Sequence, residues 1–484
     1  VLLPRGRYEI RKTADAPYLR ITRDRVVLRG QGDDPAGTLL HLGSPGPSGA
    51  VRRLGTVPAL QEPRSGAAVA VIGPEAREAL ADYTGSLMRG ERKVAVSDTS
   101  RLSAGQLVVI EFEDPRIDAE NPAPEKADMA AQLTHPFRLT EDQVDTFGAA
   151  GRQITWIVRI TEVPDSRTVL LAKPARFDQM LRYRPRIHAF SGVEGVGIEN
   201  LRIESGWPGN YRHHKPCVGA DGAVIRTARE QDYLWNGIWM SHAVDGWVRN
   251  VTFKDLTQGV VVSHSADLTI QDLRFEGIDG HAGVTIGRSN DVLFARADFY
   301  ARLVHPVTLT MMASGNVVTD CEAHYDGRDD FTATDAVIDF HGMFPFENLF
   351  DNLRGFYICP GGDMSVLPHA GVRNVFWNIE APRRMSCYVC DEEAEFARTF
   401  AYAGTSSGTP ATMYEHVPQA FFIGIRKRGG KPVAIGGDAR DRRSAWLTVE
   451  GLNRPGIGIP SLYEAQRAGR SPEAGNGITV SEKR

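Results

Sequence analysis

GVVVSHSADLTIQDLRF occupies residues 259–275. An apolar run leads into Ser263-His264, a few polar residues follow, and an alternating apolar pattern comes next. The plan recurs on both sides: GIWMSHAVDGWVRNVTF (237–253) precedes it, and GVTIGRSNDVLFARADF (283–299), VTLTMMASGNVVTDCEA (307–323) and AVIDFHGMFPFENLFDN (336–352) follow. His242 to His264 is 22 residues; His264 to Arg288 and Arg288 to Met312 are 24 each; Met312 to His341 is 29, with the excess in YDGRDDFTATD. A period in the low twenties, with short apolar strands and no helical spacing, signals a solenoid. Inward Val, Ile, Leu or Phe alternate with outward polar residues, as half-buried strands require. Gly246, Asn250, Asn290, Gly315 and Asn316 fall where corners need left-handed backbone. The leucine and asparagine pattern of leucine-rich repeats is missing. The sequence therefore predicts an all-β chain, a right-handed parallel β-helix with a small antiparallel β insertion near the N-terminus.

Stacked coils turn equivalent repeat positions into columns about 4.8 Å apart. Counting by the repeat gives one column of His242, His264, Arg288, Met312 and His341. A second holds Lys254, Glu276, Tyr300 and His324, and beside it run Thr252, Arg274, Asp298 and Glu322. A slip of one residue would reverse every side chain.

The organisation expected is an N-terminal cap and first coils over 1–59, an inserted β subdomain with loops over 60–187, the β-helix core over 188–400, and C-terminal coils and tail over 401–484. Within the insertion, VAVSDTSRLSAGQLVVIEF and ITWIVRITEVPDSRTVLLAKP read as antiparallel strands. EAREALADYTGSLM reads as a short helix, and DPRIDAENPAPEKADMAAQLTHPF as a long polar loop.

The chain has 484 residues, 42% of them hydrophobic, and a net charge of −4, which argues against a nucleic-acid coat. No apolar run approaches the roughly 20 residues of a membrane span. Five cysteines in so long a chain do not make a disulfide framework, and Cys387-Tyr-Val-Cys390 lacks a second pair for zinc. VLLPRGRYEI reads as a strand already under way, so the natural N-terminus is expected to lie outside this sequence and a missing signal peptide says little about export.

Two stretches carry a family resemblance. LLPRGRYEIRKT followed by LRITRDRVVLRGQG resembles the opening of pectate-lyase-like β-helices. WLTVEGLNRPGIGIPSLYEAQRAG (446–469) resembles the end of pectate-lyase-like bacterial proteins related to polysaccharide lyases, including those acting on chondroitin or dermatan. The resemblance implies a lyase that cleaves a uronic-acid-containing polysaccharide by β-elimination. It transfers no catalytic residue. GRDDF and GHAG resemble the paired aspartates and GHG motif of polygalacturonases, but their order is reversed and Ala282 interrupts the second.

Uronate elimination needs a cation or donors on the carboxylate, a base at C5 and an acid at the leaving oxygen. The columns supply such groups. His264 is read as base, Arg288 as carboxylate partner, and Tyr300 or His324 as acid. His242, His341, Lys254 and Arg274 are read as substrate contacts. GWPGNYRHHKP adds Arg212, His213, His214 and Lys215, with Trp235 nearby, as charges and an aromatic face suited to an acidic sugar. No cofactor is required by this chemistry, and no transition-metal site is expected. Asp298, Glu322, Asp326, Asp329 and Asp330 are of the type that binds Ca2+ or serves as a glycosidase pair. The alternatives are a glycoside hydrolase on the same scaffold, a C5-epimerase, and a non-catalytic glycan-binding or tailspike-like protein. The partner expected is an acidic polysaccharide, with the chain a monomer or small homo-oligomer.

Overall fold

The computed structural model describes residues 1–10, 19–43, 67–75, 78–113, 128–135, 154–206, 211, 217–218, 222–226, 235–325, 337–359, 369–382, 418–429, 432 and 447–469. These residues form a right-handed parallel β-helix. A 13-stranded sheet runs along one side of the coil and an eight-stranded sheet along another. The third side is a ladder of single bridges, Val244–Ala266–Asn290–Ser314–Phe346. In the first sheet Gly197–Ser205, Trp247–Lys254, Thr269–Glu276 and Leu293–Phe299 pair in parallel. In the second, Ala67–Ile72, Asn236–Ser241, Gln258–Ser263, Gly280–Gly287, Leu303–Thr310 and Val337–Phe340 do the same.

The corners explain much of the sequence. Each coil turns through residues with positive φ, and these stack into three columns. One holds His242 (53°), His264 (48°), Arg288 (49°) and Met311 (50°), continued by Gly342 (91°). The next holds Asp245, Asp267, Asp291, Gly315, Glu347 and Arg373; the last holds Asn200, Asn250, Asp272, Arg296, Asp320, Asn352 and Asn378. Left-handed backbone crowds Cβ and costs roughly 1–2 kcal/mol for most residues, least for Gly, Asn and Asp. Histidine is among the types enriched there. Among the described residues no β-branched residue occupies any of the three columns. His264 thus has a conformational reason to sit where it does, apart from any chemistry.

Inside, equivalent side chains stack. Phe253, Phe275 and Phe299 form one pile, with the last two rings 4.5 Å apart and 2° from parallel. Phe350, Phe376 and Phe422 form another. Each such ring contributes roughly 1.5–3 kcal/mol by leaving water. Gly237, Gly259 and Gly283 lie opposite the first pile, where any Cβ would collide with its rings. Asn316, Asn348 and Asn374 form a buried amide ladder with bonds of 2.9 and 3.0 Å.

A six-stranded antiparallel sheet lies against the bridge-ladder side, in the order Ala79–Asp82, Arg186–Ala189, Leu107–Phe112, Ile154–Asp165, Thr168–Leu171, Lys93–Ala95. The short helix expected around residues 75–88 is absent from its described residues. Ala79–Asp82 is instead an edge strand paired to Arg186–Ala189, a tertiary pairing that overrides local helix propensity. A helical turn over Asp128–Thr134 interrupts the stretch expected to be loop. The sheet is docked by apolar contacts of Leu107, Val109 and Ile157 with Val244 and Ala266. Asn290 exchanges two hydrogen bonds with the Ile157 backbone, at 2.9 and 3.0 Å. Acids of the middle corner column face its bases: Asp245 meets Arg159 at 2.7 Å, Asp267 and Asp291 share Lys173, Asp291 also takes Arg176, and Glu347 takes Arg89.

The C-terminal IPSLYEAQ segment returns to the helix. Ser461 Oγ accepts from Glu464 N, and Asp351 accepts from the Leu462 and Tyr463 amides, capping Leu462–Gly469. Trp377 Nε1 donates to Ile459 O at 2.8 Å. The motif that carries the family resemblance is thus a clamp over the last coils.

Candidate functional site

The first sheet presents an open row beyond its left-handed corner. Val251 and Phe253, Leu273 and Phe275, Ala297 and Phe299, and Cys321 and Ala323 point into the core. The alternate residues therefore face out. Register pairs Thr252 with Arg274, Arg274 with Asp298, and Asp298 with Glu322; Lys254 pairs with Glu276. Tyr300 and His324 each follow one residue after the Phe299–Ala323 pair.

These side chains form a connected stack. The Arg274 guanidinium lies 4.3 Å from the centre of the Tyr300 ring. Tyr300 stacks on His324 with centroids 4.3 Å apart and rings 5° from parallel. His324 Nε2 meets Asp298 Oδ1 at 2.8 Å. Arg274 also pairs with Glu276, which takes Arg202 at 3.1 Å; Lys254 pairs with Glu204 at 3.4 Å. Burial works against the Arg274 charge, but Glu276, Tyr300 and Asp298 outweigh it and push its pKa up. Further along, Arg428 bridges Glu322 and Glu380, and burial's upward pull on Glu380 is overcome by Arg428 and Arg426, which hold it below the usual carboxylate range. Tyr300 is 39% exposed. The row offers an imidazole oriented by a carboxylate, a phenol against it, and a guanidinium one coil away. Such a set can move protons and hold an anion.

The His264 column has other surroundings. His242 and His264 stack at 4.8 Å and 3°. The crevice beside them is lined by Pro74, Val109, Thr155, Ile157 and Phe190 of the inserted sheet and its flanks, with about 10 Å³ of room. That is room for one water and no pyranose. His242 is buried and bonds Ser241 Oγ at 3.0 Å, which corrects its reading as a substrate contact. Arg288 Nη1 lies 3.5 Å from His264 Nε2. The column itself needs a second correction. Arg288 N donates to Met311 O and Met311 N to Gly342 O, so Met311 and Gly342 follow Arg288, not Met312 and His341. His341 lies one position earlier, opposite Thr310, because Leu309 pairs with Phe340.

Trp235 is fully buried against Tyr211, Ile278 and Val304, so its indole cannot serve as the sugar platform expected of it. Arg212, His213, His214 and Lys215 lie outside the described residues, as do Asp326, Asp329 and Asp330. Of the acids considered for calcium, Asp298 is bonded to His324 and Glu322 to Arg428.

The count by repeats passed over a cluster on the second sheet. Asp339 is fully buried; His341 Nδ1 lies 2.9 Å and His305 Nδ1 3.7 Å from its Oδ2. Thr308 Oγ1 donates to the same oxygen at 3.3 Å. His281 lies 5.5 Å from His305, ring to ring, and Tyr211 stacks over His281. Burial pushes the Asp339 carboxyl up, but His305, His341 and His369 outweigh it and hold it well below the usual range. The signal available in the sequence was Asp339-Phe-His341, two polar residues on one face of a strand.

No family model matches the chain and no curated protein sequence matches it. Solved structures similar to it include the tailspike gp49 from Pseudomonas phage LKA1, at 11% identity over 88% of this chain and 62% of that one, with a TM-score of 0.46. The Pseudomonas phage phi297 tailspike gp61 matches at 12% identity over 90% and 61%, TM-score 0.44. The Gp54 tailspike of Acinetobacter baumannii bacteriophage AP22, solved with capsular saccharide, matches at 10% identity over 93% and 63%, TM-score 0.41. The chain spans about three-fifths of the length of each of these structures. Among the described residues no helix is long and apolar enough to cross a membrane.

Proposed function

We propose that the chain is a polysaccharide lyase that cleaves a uronic-acid-containing polymer by β-elimination on the open face of the first sheet. The observation that carries this reading is the Arg274–Tyr300–His324–Asp298 stack. Arg274 pairs with the uronate carboxylate and makes the C5 proton more acidic. His324, oriented by Asp298, takes that proton. The C4–O4 bond breaks, the C4–C5 double bond forms, and the leaving oxygen receives a proton from the Tyr300 hydroxyl. Lys254 extends the positive edge along the polymer. The roles given to His264 and Arg288 from sequence pass to His324 and Arg274 because Arg274 and Tyr300 are exposed and Asp298 orients His324, whereas His264 stands beside a narrow crevice. A polymeric substrate places the protein outside the cytoplasm.

A panel of acidic polysaccharides (chondroitin, dermatan, hyaluronan, alginate, pectate, ulvan) tests it, with and without chelator, by following the ultraviolet absorbance of the unsaturated uronate. A rise on one polymer supports the lyase. New reducing ends without that absorbance favour a second reading, a glycoside hydrolase. Asp298 and Glu322, paired on adjacent strands, supply the carboxylates for it. Neither signal sinks both.

A further inference from the structure

We propose that His305, Asp339 and His341 form a binding site for one divalent first-row transition metal ion, with Zn2+ the best fit. The ligand atoms of the three residues all lie within 4.8 Å of one another. The proposal is independent of the lyase reading, because the cluster sits on the second sheet and shares no residue with the Arg274–His324 row.

The fold builds the site from few parts. Asp339 and His341 are alternate residues of one strand end, so both side chains leave the same face. His305 comes from the preceding coil, on Leu303–Thr310. The pairing of Val307 with Ile338 and Leu309 with Phe340 locks those coils in register. Four-coordinate zinc with bonds of about 2.0–2.2 Å needs ligand atoms roughly 3.3 Å apart. The two Nδ1 to Oδ2 separations, 2.9 and 3.7 Å, bracket that value. Small rotations of the two rings bring both onto a common ion.

The donor set selects the metal. Two imidazoles and one carboxylate suit zinc and its neighbours, whereas Ca2+ and Mg2+ prefer all-oxygen shells. Burial adds to the case: a carboxylate with no exposure is stable only beside compensating positive charge, and a dication held by the two rings and the carboxylate would supply more of it. Thr308 orients the carboxylate as an outer partner at 3.3 Å. His341 keeps a third of its side-chain surface, so an ion has a route in.

The test uses the whole chain, stripped with chelator and titrated with Zn2+ by calorimetry and with Co2+ by visible absorption. One equivalent is expected, with a low-coordinate Co2+ spectrum and a rise in Tm on adding Zn2+. His341→Ala, at a partly exposed position, is expected to weaken binding at least tenfold while keeping the wild-type circular dichroism; His264→Asn is the control and keeps full affinity. Absence of stoichiometric binding overturns the site. So does unchanged binding in folded His341→Ala, which would place the ion elsewhere.

Discussion

Two rows of outward side chains run up the same solenoid, and their neighbours differ. The His242–His264–Arg288 row stands at a left-handed corner beneath an antiparallel sheet, beside a space of about 10 Å³. The Arg274–Tyr300–His324 row stands on a strand face open to solvent. Both contain histidine beside arginine, the chemistry expected of a uronate site. Repeat counting treats them alike because it reports only which residues stack. What covers a column is set by chain from elsewhere, here residues between Pro74 and Ser191. The lesson is that in a solenoid the accessible column, more than the most polar one, is the site to test first.

That contrast can be broken at several points. The largest expected effect is from Arg274→Ala: kcat/KM should fall about 10²–10³-fold, since an anion-stabilising donor is lost. Unfolding free energy should change by less than about 1 kcal/mol, because the side chain is half exposed. Arg274→Lys should rescue only part, lacking the planar fork. Near-normal turnover in Arg274→Ala would remove this row from the chemistry.

Next comes the cover. Lys173 neutralises both Asp267 and Asp291 under the inserted sheet. Lys173→Ala should cost about 2 kcal/mol in urea unfolding, less than a fully buried pair because the side chain keeps some contact with water. An unchanged midpoint would mean that apolar contacts alone hold the sheet down.

The same interface should sense acid. Burial raises the Asp291 carboxyl, but Arg176 and Lys173 outweigh it and hold it below its ordinary value. A depressed folded pKa contributes stability that is complete above the unfolded value of about 4 and is lost as pH falls through the folded one. Asp267 moves the opposite way, raised by burial against the pull of Lys173, so its neutralisation on acidification relieves part of the loss. Comparing thermal midpoints at pH 3 and pH 5 in wild type and Asp291→Asn checks this. The variant should show the smaller difference; an equal difference would place the acid sensitivity elsewhere.

The smallest effect belongs to the corner itself. Met311 has φ 50° in the His264 column. Met311→Gly should gain up to about 1 kcal/mol by relieving left-handed strain. A clear loss would show that the thioether packs more strongly than the backbone is strained.

Particular residues show what was legible. The row from Thr252 to Glu322 and its neighbour from Lys254 to His324 were readable because Phe253, Phe275 and Phe299 mark each coil at regular spacing. The slip to Met312 arose where the coil shortens by one residue, since Ser263 pairs with Gly287 24 positions on but Gly287 with Thr310 only 23 on, and the slip to His341 followed across the long YDGRDDFTATD stretch. The acids of the middle column, Asp245, Asp267, Asp291 and Glu347, carry no signal in the repeat itself, because their bases, Arg89, Arg159, Lys173 and Arg176, belong to the insertion. Trp235 read as a sugar platform because its tertiary burial leaves no mark in local pattern. Asp339 was passed over because repeat counting favours residues that recur, and among the described residues a carboxylate between two imidazoles occurs on one coil.

The most direct measurement sets one residue of each row side by side: initial rates of unsaturated product for His324→Ala and His264→Asn on the polymer that wild type cleaves. Asparagine keeps the left-handed corner while removing the imidazole. The account predicts a loss of about 10²–10⁴-fold for His324→Ala, as for a missing general base, and a rate close to wild type for His264→Asn. The reverse pattern, with His264→Asn inactive and His324→Ala active, would contradict it and put the chemistry under the inserted sheet.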